Sequence, residues 1–386
     1  MISYSIVHRR PEGAFSADSR LWIGCPSIQV TGKRVWACGF TGGKYEPSRF
    51  NHNILMYSDD GGNTWIDPYM AVTCDEAHDY RGMDGNLWLD PKGRLWFTWE
   101  QAHFEHGISE PTFGKIDYEH LMRFFDPDNT CWAMLCENPD ADEPTWTEPR
   151  YLFHGVLRNK PVVLSNGMWM FCAYKAAARK PYYEYYLSRD EGATFQLQQG
   201  PERMSGDRCP FEEPMCVEIE NGHLLFMVRT YTGHIAMSES FDYGKTWSKT
   251  ADTDMKNPSS RFFLYKLTSG KILLVNTPRS DARTGMRAFL SSDGKSWTHS
   301  LTLDTRRSVS YPDGCQDEAG YIWIVYDCQR DNRQEPLPWD KARSFAAKEL
   351  VLTSFSEQDL IAGDFVTESS KMPHWFAKVL FDSRTD

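Results

Sequence analysis

One pattern recurs along this chain and limits what it can fold into: Ser-x-Asp-x-Gly-x-Thr-aromatic. It occurs at Ser58–Trp65, Ser188–Phe195 and Ser240–Trp247, with a copy one residue shorter at Ser291–Trp297 and a remnant at Pro144-Thr145-Trp146. The closing aromatics stand at 65, 146, 195, 247 and 297, so the last three intervals are 49, 52 and 50 residues. A second repeat runs beside the first. A glycine precedes a short apolar run at Gly32, Gly93, Gly167, Gly222, Gly270 and Gly320, each reading as a turn and then a buried strand. Repeats of about 50 residues made of short strands indicate a β-propeller, because one blade cannot bury both of its faces alone. The expected fold is all-β, a single six-bladed propeller over residues 1–386 with four-stranded antiparallel blades. The repeated box is expected to be structural: it turns the chain between a blade's outer strands, with Asp and Ser/Thr bonding the turn backbone.

The first interval, 81 residues, is longer by about one extra segment, assigned to an insertion at about 101–136. A peripheral C-terminal segment is expected from about 336, with a helix near Trp339–Lys348. Ten cysteines are scattered singly among apolar residues, without zinc or redox spacing, and read as buried free thiols of a reducing compartment. No metal or cofactor is expected. The excess of 53 acidic over 42 basic residues argues against a nucleic-acid partner. No apolar run of about 18 residues is present, which argues against a membrane span, and residues 1–10 lack a signal pattern. A cytoplasmic protein, or a secreted or periplasmic one trimmed of its signal, is the expectation. Fourteen Trp, 18 Tyr and 22 Phe suit strands and also clefts that stack sugar rings.

In a propeller the inner strands converge on one mouth, so charged residues beside those strands are the candidates for chemistry. Glu212-Glu213 opens one inner strand and Arg229 closes the next. Arg261 and Arg283 flank the strands of blade 5, and Ser310-Tyr311-Pro312-Asp313 opens blade 6. Asp84 starts an inner strand and reads either as a turn residue or as a mouth carboxylate. Lys160 reads either way too, and His52, His78 and His103 lie in expected loops.

With these residues in place, the chain resembles the sialidase (neuraminidase) superfamily of glycoside hydrolases, in a divergent branch carrying the Asp-box or BNR repeat. The resemblance covers most of the chain. Its specific part is the ordered set of boxes, Glu213 and Arg229 sixteen residues apart around Val-Glu-Ile-x-x-Gly, Arg283 eight residues before Ser291, and Tyr311 opening the last blade. The resemblance implies that Tyr311 is the nucleophile, that Glu213 assists it, and that Arg229 and Arg283 bind a substrate carboxylate. Such a pair suits an anomeric centre that bears a carboxylate, since a neutral phenol avoids the repulsion an anionic nucleophile meets. Arginine donates paired planar hydrogen bonds to the anion.

Two departures accompany it. Gly24 in Trp22-Ile-Gly-Cys-Pro-Ser-Ile28 stands where the family has its first carboxylate-binding arginine, which removes about 2–3 kcal/mol of charged hydrogen bonding. The family's acid/base aspartate is missing from the loop before the first box, where Glu46 is the one carboxylate. Glu46 or Asp84 then becomes the expected proton donor, with Arg261, His52, Asp313 and Lys160 as further substrate-binding candidates. Three functions remain open. The leading one is an exo-glycosidase acting on a terminal, anionic sugar of a glycan. The second is a lyase on a uronate glycan, using His52 with Tyr311 or Tyr45. The third is a carbohydrate-binding propeller without turnover.

Overall fold

The computed structural model describes residues 3–43, 46, 48–109, 123, 129–175, 180–207, 209–329 and 347–379. Six antiparallel sheets follow one another along the chain. Blade 1 holds Gly24–Val30, Val35–Thr41, His52–Ser58 and Ile66–Cys74, with Ser5–Arg9 added along the outer edge. Blade 2 holds Tyr80–Leu89, Leu95–His103, Thr130–Cys136 and Arg150–His154. Blade 3 holds Val162–Val163, Trp169–Phe171, Tyr182–Ser188 and Gln196–Glu202, beside a small ladder of Val156–Leu157 with Ala173–Tyr174. Blade 4 is Met215–Glu220, His223–Arg229, His234–Ser240 and Ala251–Lys256. Blade 5 is Phe263–Lys266, Ile272–Asn276, Thr284–Ser291 and Trp297–Arg307. Blade 6 is Ser310–Gln316, Ile322–Cys328, Glu349–Phe355 and Lys371–Lys378.

The sequence repeats have physical roles here. Each box joins a blade's third and fourth strands. The Ser58 hydroxyl accepts from the Gly62 amide at 2.8 Å, and the Asp60 carboxylate accepts from the Thr64 amide and hydroxyl at 2.8 and 2.7 Å. The same bonds recur at Ser188/Asp190 and Ser240/Asp242. In the short copy Ser291 accepts from Gly294, and Asp293 accepts from the Lys295 and Ser296 amides. Five of the six turn glycines between first and second strands, all but Gly32, adopt the left-handed conformation, as at Gly222 (φ +78°) and Gly320 (φ +89°).

Blade faces pack on their neighbours through apolar layers, so the core is distributed around the ring. The layer between blades 6 and 1 contains Ile28, Val35, Cys315, Trp323, Val325 and Leu352. Closure therefore rests on side chains and single bonds, such as Ile23 N–H to Ala347 O (3.0 Å) and the Lys348 ammonium to Leu21 O (2.8 Å). All ten cysteines are free and buried. Among the described residues, no helix is long and apolar enough to cross a membrane.

Two expected segments take a narrower form. Gln101–His103 and Thr130–Cys136 belong to blade 2 strands, so the extra residues of that blade lie between them. Residues 339–346 of the expected helix lie outside the described residues. A described helix, Glu357–Ala362, sits between the outer strands of blade 6 and begins with a capping box of Ser356 and Asp359.

Candidate active site

The first strands of the blades share an unusual backbone. Cys25 (φ +50°), Asp84 (+56°), Glu213 (+42°), Ser259 (+51°) and Tyr311 (+54°) are left-handed without being glycine. They lie within, or up to four residues before, the inner strand of blades 1, 2, 4, 5 and 6. In blades 1, 2 and 6 the ladder shifts register there, between Gly24 and Ser27, Met83 and Asn86, and Ser310 and Asp313. Such bulges re-aim side chains at strand ends and cost about 1–3 kcal/mol each. Here they ring the axis with a thiol, two carboxylates, a hydroxyl and a phenol. Blade 3 supplies Arg158 at the matching place, between Val156–Leu157 and Val162–Val163.

The charges in this layer hold one another. The Arg229 guanidinium donates to Glu213 Oε2 at 3.0 Å and to Ser259 Oγ at 3.2 Å. Arg158 pairs with Asp84, and its Nε stands 3.8 Å from Glu213 Oε1. Arg283 donates to Ser310 Oγ (3.3 Å) and the Ser259 carbonyl (3.0 Å). Two of these guanidiniums face the Tyr311 ring: Arg283 at 5.1 Å and Arg158 at 5.7 Å from its centroid. Burial alone would raise the Glu213 carboxyl, but Arg229, then Arg158 and Arg261, outweigh it and hold it below the usual range. Arg229 is driven well above its ordinary value: Glu213, then Tyr311, outweigh its burial. Glu213 and Tyr311 flank the same guanidiniums. Arg229 and Arg158 lie beside both and link them.

Two residues further along the inner strands a second layer closes the axis. Asp313, with no exposed surface, accepts from Ser27 Oγ at 2.6 Å, the Ile28 amide at 3.1 Å, Lys160 Nζ at 3.0 Å and Arg261 Nη2 at 3.1 Å. Lys160 also donates to the Ile28 and Leu87 carbonyls at 2.8 and 2.6 Å. Arg261, Asp313 and Lys160, expected to bind substrate, thus spend their charges on one another in a buried plug. In sequence they look like mouth residues because they ride on the same strands.

His52 is placed elsewhere as well. Its ring meets Phe15 edge-on at 5.1 Å, its Nδ1 is 3.0 Å from the Phe50 carbonyl, and burial pushes its pKa down to about 4. That leaves the lyase reading without its histidine in this layer; Tyr45 lies outside the described residues. Glu46 does approach the layer: its Oε1 is 3.8 Å from Cys25 Sγ. His78 pairs with Asp75, and His103 packs against Tyr80.

Sequence reasoning missed Arg158, Cys25 and Tyr174. Cys25 sits in an apolar cluster with Trp22, Phe40, Met83 and Tyr311, and its amide donates to Asp327 at 2.8 Å. Tyr174 is buried with Val156 and packs against Phe211. Burial, then Glu213, pushes its phenol far above its usual value. Arg158 had a signal available. It immediately precedes Asn159-Lys160-Pro161 where blade 3 meets the axis, the position corresponding to Glu213 and Tyr311 in their blades.

The chain matches the family model described as BNR repeat-like domain over residues 40–324. No curated protein matches it by sequence. Among solved structures it is similar to a K499G mutant of the NanB sialidase from Streptococcus pneumoniae. That match has a TM-score of 0.64 and 14% identity, covering 89% of this chain and 70% of that one. It is similar to the intramolecular trans-sialidase from Ruminococcus gnavus in complex with oseltamivir carboxylate, with a TM-score of 0.62 and 14% identity over 90% and 97% of the two chains. A protein of unknown function from Dyadobacter fermentans gives a TM-score of 0.62 and 15% identity over 84% and 93%. These likenesses show a shared six-bladed fold, and the family match spans most of the molecule: the chain belongs to the BNR repeat-like family.

Proposed function

We propose that the protein is a sialidase-like glycoside hydrolase that removes a terminal, carboxylate-bearing sugar from a glycan. The observation that carries the reading is the convergence of Arg158, Arg229 and Arg283 on Tyr311 from three blades. Arg158 and Arg229 each have a carboxylate partner, whereas Arg283, half-buried, bonds among the described residues only a hydroxyl and a carbonyl. The layer therefore has one guanidinium charge free for an incoming anion.

In this reading the sugar carboxylate binds Arg283 and Arg229. The phenol oxygen of Tyr311 attacks the anomeric carbon as the bond to the leaving oxygen breaks. Glu213, held ionised by its guanidinium neighbours, takes the phenol proton. Glu46 or Asp84 gives a proton to the leaving oxygen. Water then cleaves the glycosyl–tyrosine bond and restores the phenol.

The test is a panel of aryl glycosides of sialic acid, uronic acids and neutral sugars. Wild type is expected to release the aryl alcohol from a carboxylate-bearing member. Arg283→Met should raise KM about 10–100-fold through the lost charged hydrogen bonds. Turnover of neutral sugars alone would refute the reading. A second reading, glycan binding without turnover, is favoured by Gly24 standing where the first carboxylate-binding arginine is expected. It predicts saturable binding on the same panel with no product.

A further inference from the structure

We propose that Asp84 occupies, in the ligand-free protein, the seat that a sugar carboxylate takes at Arg158, and that ligand binding releases Asp84 to pick up the proton it then passes to the leaving oxygen. This rests on reading the mouth as a site for a carboxylate-bearing sugar.

The carboxylates of the mouth are tied down very unequally. Asp313 accepts from four donors. Glu213 is held by Arg229 and faces Arg158. Asp84 has a single described partner, Arg158, and its side chain keeps 10% of its surface exposed. A left-handed backbone in a register shift aims it at the axis. An incoming carboxylate can therefore replace Asp84 by breaking one ion pair and forming another. Exchange at Glu213 or Asp313 would break several contacts.

The guanidinium of Arg158 is suited to such an exchange. It is almost wholly buried, keeps Glu213 at 3.8 Å as a second counter-ion, and lies over the phenol ring. It joins Arg229 and Arg283 as a third cation from a third blade. In doing so it offsets the missing charge at Gly24, whose neighbour Cys25 lies within electrostatic reach of Arg158.

Once the ligand holds Arg158, Asp84 faces a second negative charge and loses its one cation. Both changes favour its protonated form. Its partner is Arg158 from blade 3; around that guanidinium stand Glu213 from blade 4, Tyr311 from blade 6, Cys25 from blade 1 and Tyr174 from blade 3, and Arg81 and Glu100 belong to the blade of Asp84 itself. Arg81 neighbours Glu100 electrostatically, and Glu100 is bonded by Asn129. Arg81 also donates to the Ser48 carbonyl. The proton comes from solvent, and in the reaction it goes to the departing glycosidic oxygen.

The experiment is calorimetric titration of the full chain with sodium galacturonate, glucuronate or N-acetylneuraminate between pH 5 and 7, in buffers of different ionisation enthalpy. Wild type should take up about one proton per anion bound. Asp84→Asn should bind the same anion about tenfold tighter, because its resident competitor is gone, and should take up no proton. Asp84→Ser gives the same readout should the amide disturb folding. Arg158→Met should weaken binding about 10–100-fold. Equal uptake in Asp84→Asn, weaker binding in both Asp84 variants, or no binding of any of the three anions overturns the proposal. The hydrolase reading fails separately: proton-linked binding without turnover would keep the exchange and remove the hydrolysis.

Discussion

Replacing Asp313 by Asn should loosen the whole ring, because one carboxylate ties four blades together. Its oxygens take donors from Ser27 and Ile28 of blade 1, Lys160 of blade 3 and Arg261 of blade 5, and Asp313 itself belongs to blade 6. The side chains of Lys160 and Arg261 are 5% and 2% exposed, so water cannot replace the lost charge. Asparagine keeps the shape but strands two buried cations. Breaking a buried pair in this way costs about 3–5 kcal/mol. A chain of 386 residues unfolds with an entropy of about 0.8 kcal/mol/K. The melting temperature should therefore fall by about 4–6 °C, read by calorimetry at one scan rate. Lys160→Met is the control. In that background Asp313→Asn leaves one cation fewer unpaired and should cost about 1–3 kcal/mol less. A shift below about 1 °C, or an equal cost in both backgrounds, would refute the view of this layer as a charge-locked plug.

Three further outcomes follow from other parts of the molecule. His52 stays neutral to about pH 4 when folded, against 6.5 when unfolded. The unfolded chain thus binds more protons as pH falls, and about 3 kcal/mol of stability present above pH 6.5 is lost on the way to pH 4. His52→Gln should flatten the urea midpoint over that window, and an unchanged acid slope would contradict the burial argument. At Gly294 (φ +69°) an added Cβ would lie 2.1 Å from Leu225 Cδ1, so Gly294→Ala should lower stability by about 2–4 kcal/mol; an unchanged urea midpoint would count against tight packing of that box turn on blade 4. Arg283→Met should leave the melting temperature within about 1 °C of wild type while weakening carboxylate binding, since among the described residues its hydrogen bonds reach Ser310 and the Ser259 carbonyl and no carboxylate; a large loss of stability would make it structural.

The propeller was legible in the sequence because its evidence is local and repeated. Ser58, Asp60 and Thr64 bond within one turn, and the same turn returns at Ser188, Ser240 and Ser291. The site was legible only in part. Glu213, Arg229, Arg283 and Tyr311, named from the resemblance, come together in one layer, Arg229 on Glu213 and Arg283 over the Tyr311 ring. Which charges face the mouth was not readable, since Tyr311 and Asp313 are two residues apart on one strand, and Arg158 and Lys160 two apart in the segment between Val156–Leu157 and Val162–Val163. The difference is set by left-handed residues at Cys25, Asp84, Glu213, Ser259 and Tyr311, none of which is a glycine that would advertise the conformation. Arg158 was missed for a related reason: the inner edge of blade 3 is broken into two-residue pieces, Val156–Leu157 and Val162–Val163, so no periodic pattern leads to it. His52 looked like a mouth histidine from its loop position, but the Phe15 segment covers it.

In the proposed mechanism the Tyr311 phenol carries the sugar during turnover. Incubating the protein with a fluorinated glycosyl fluoride of the carboxylate-bearing sugar it cleaves, then fragmenting its peptides by mass spectrometry, tests this directly. One added glycosyl mass is expected on Tyr311 and none in Tyr311→Phe, whose turnover falls by at least about 10³-fold. A glycosyl mass on Glu213 or another carboxylate, or full turnover by Tyr311→Phe, would contradict it.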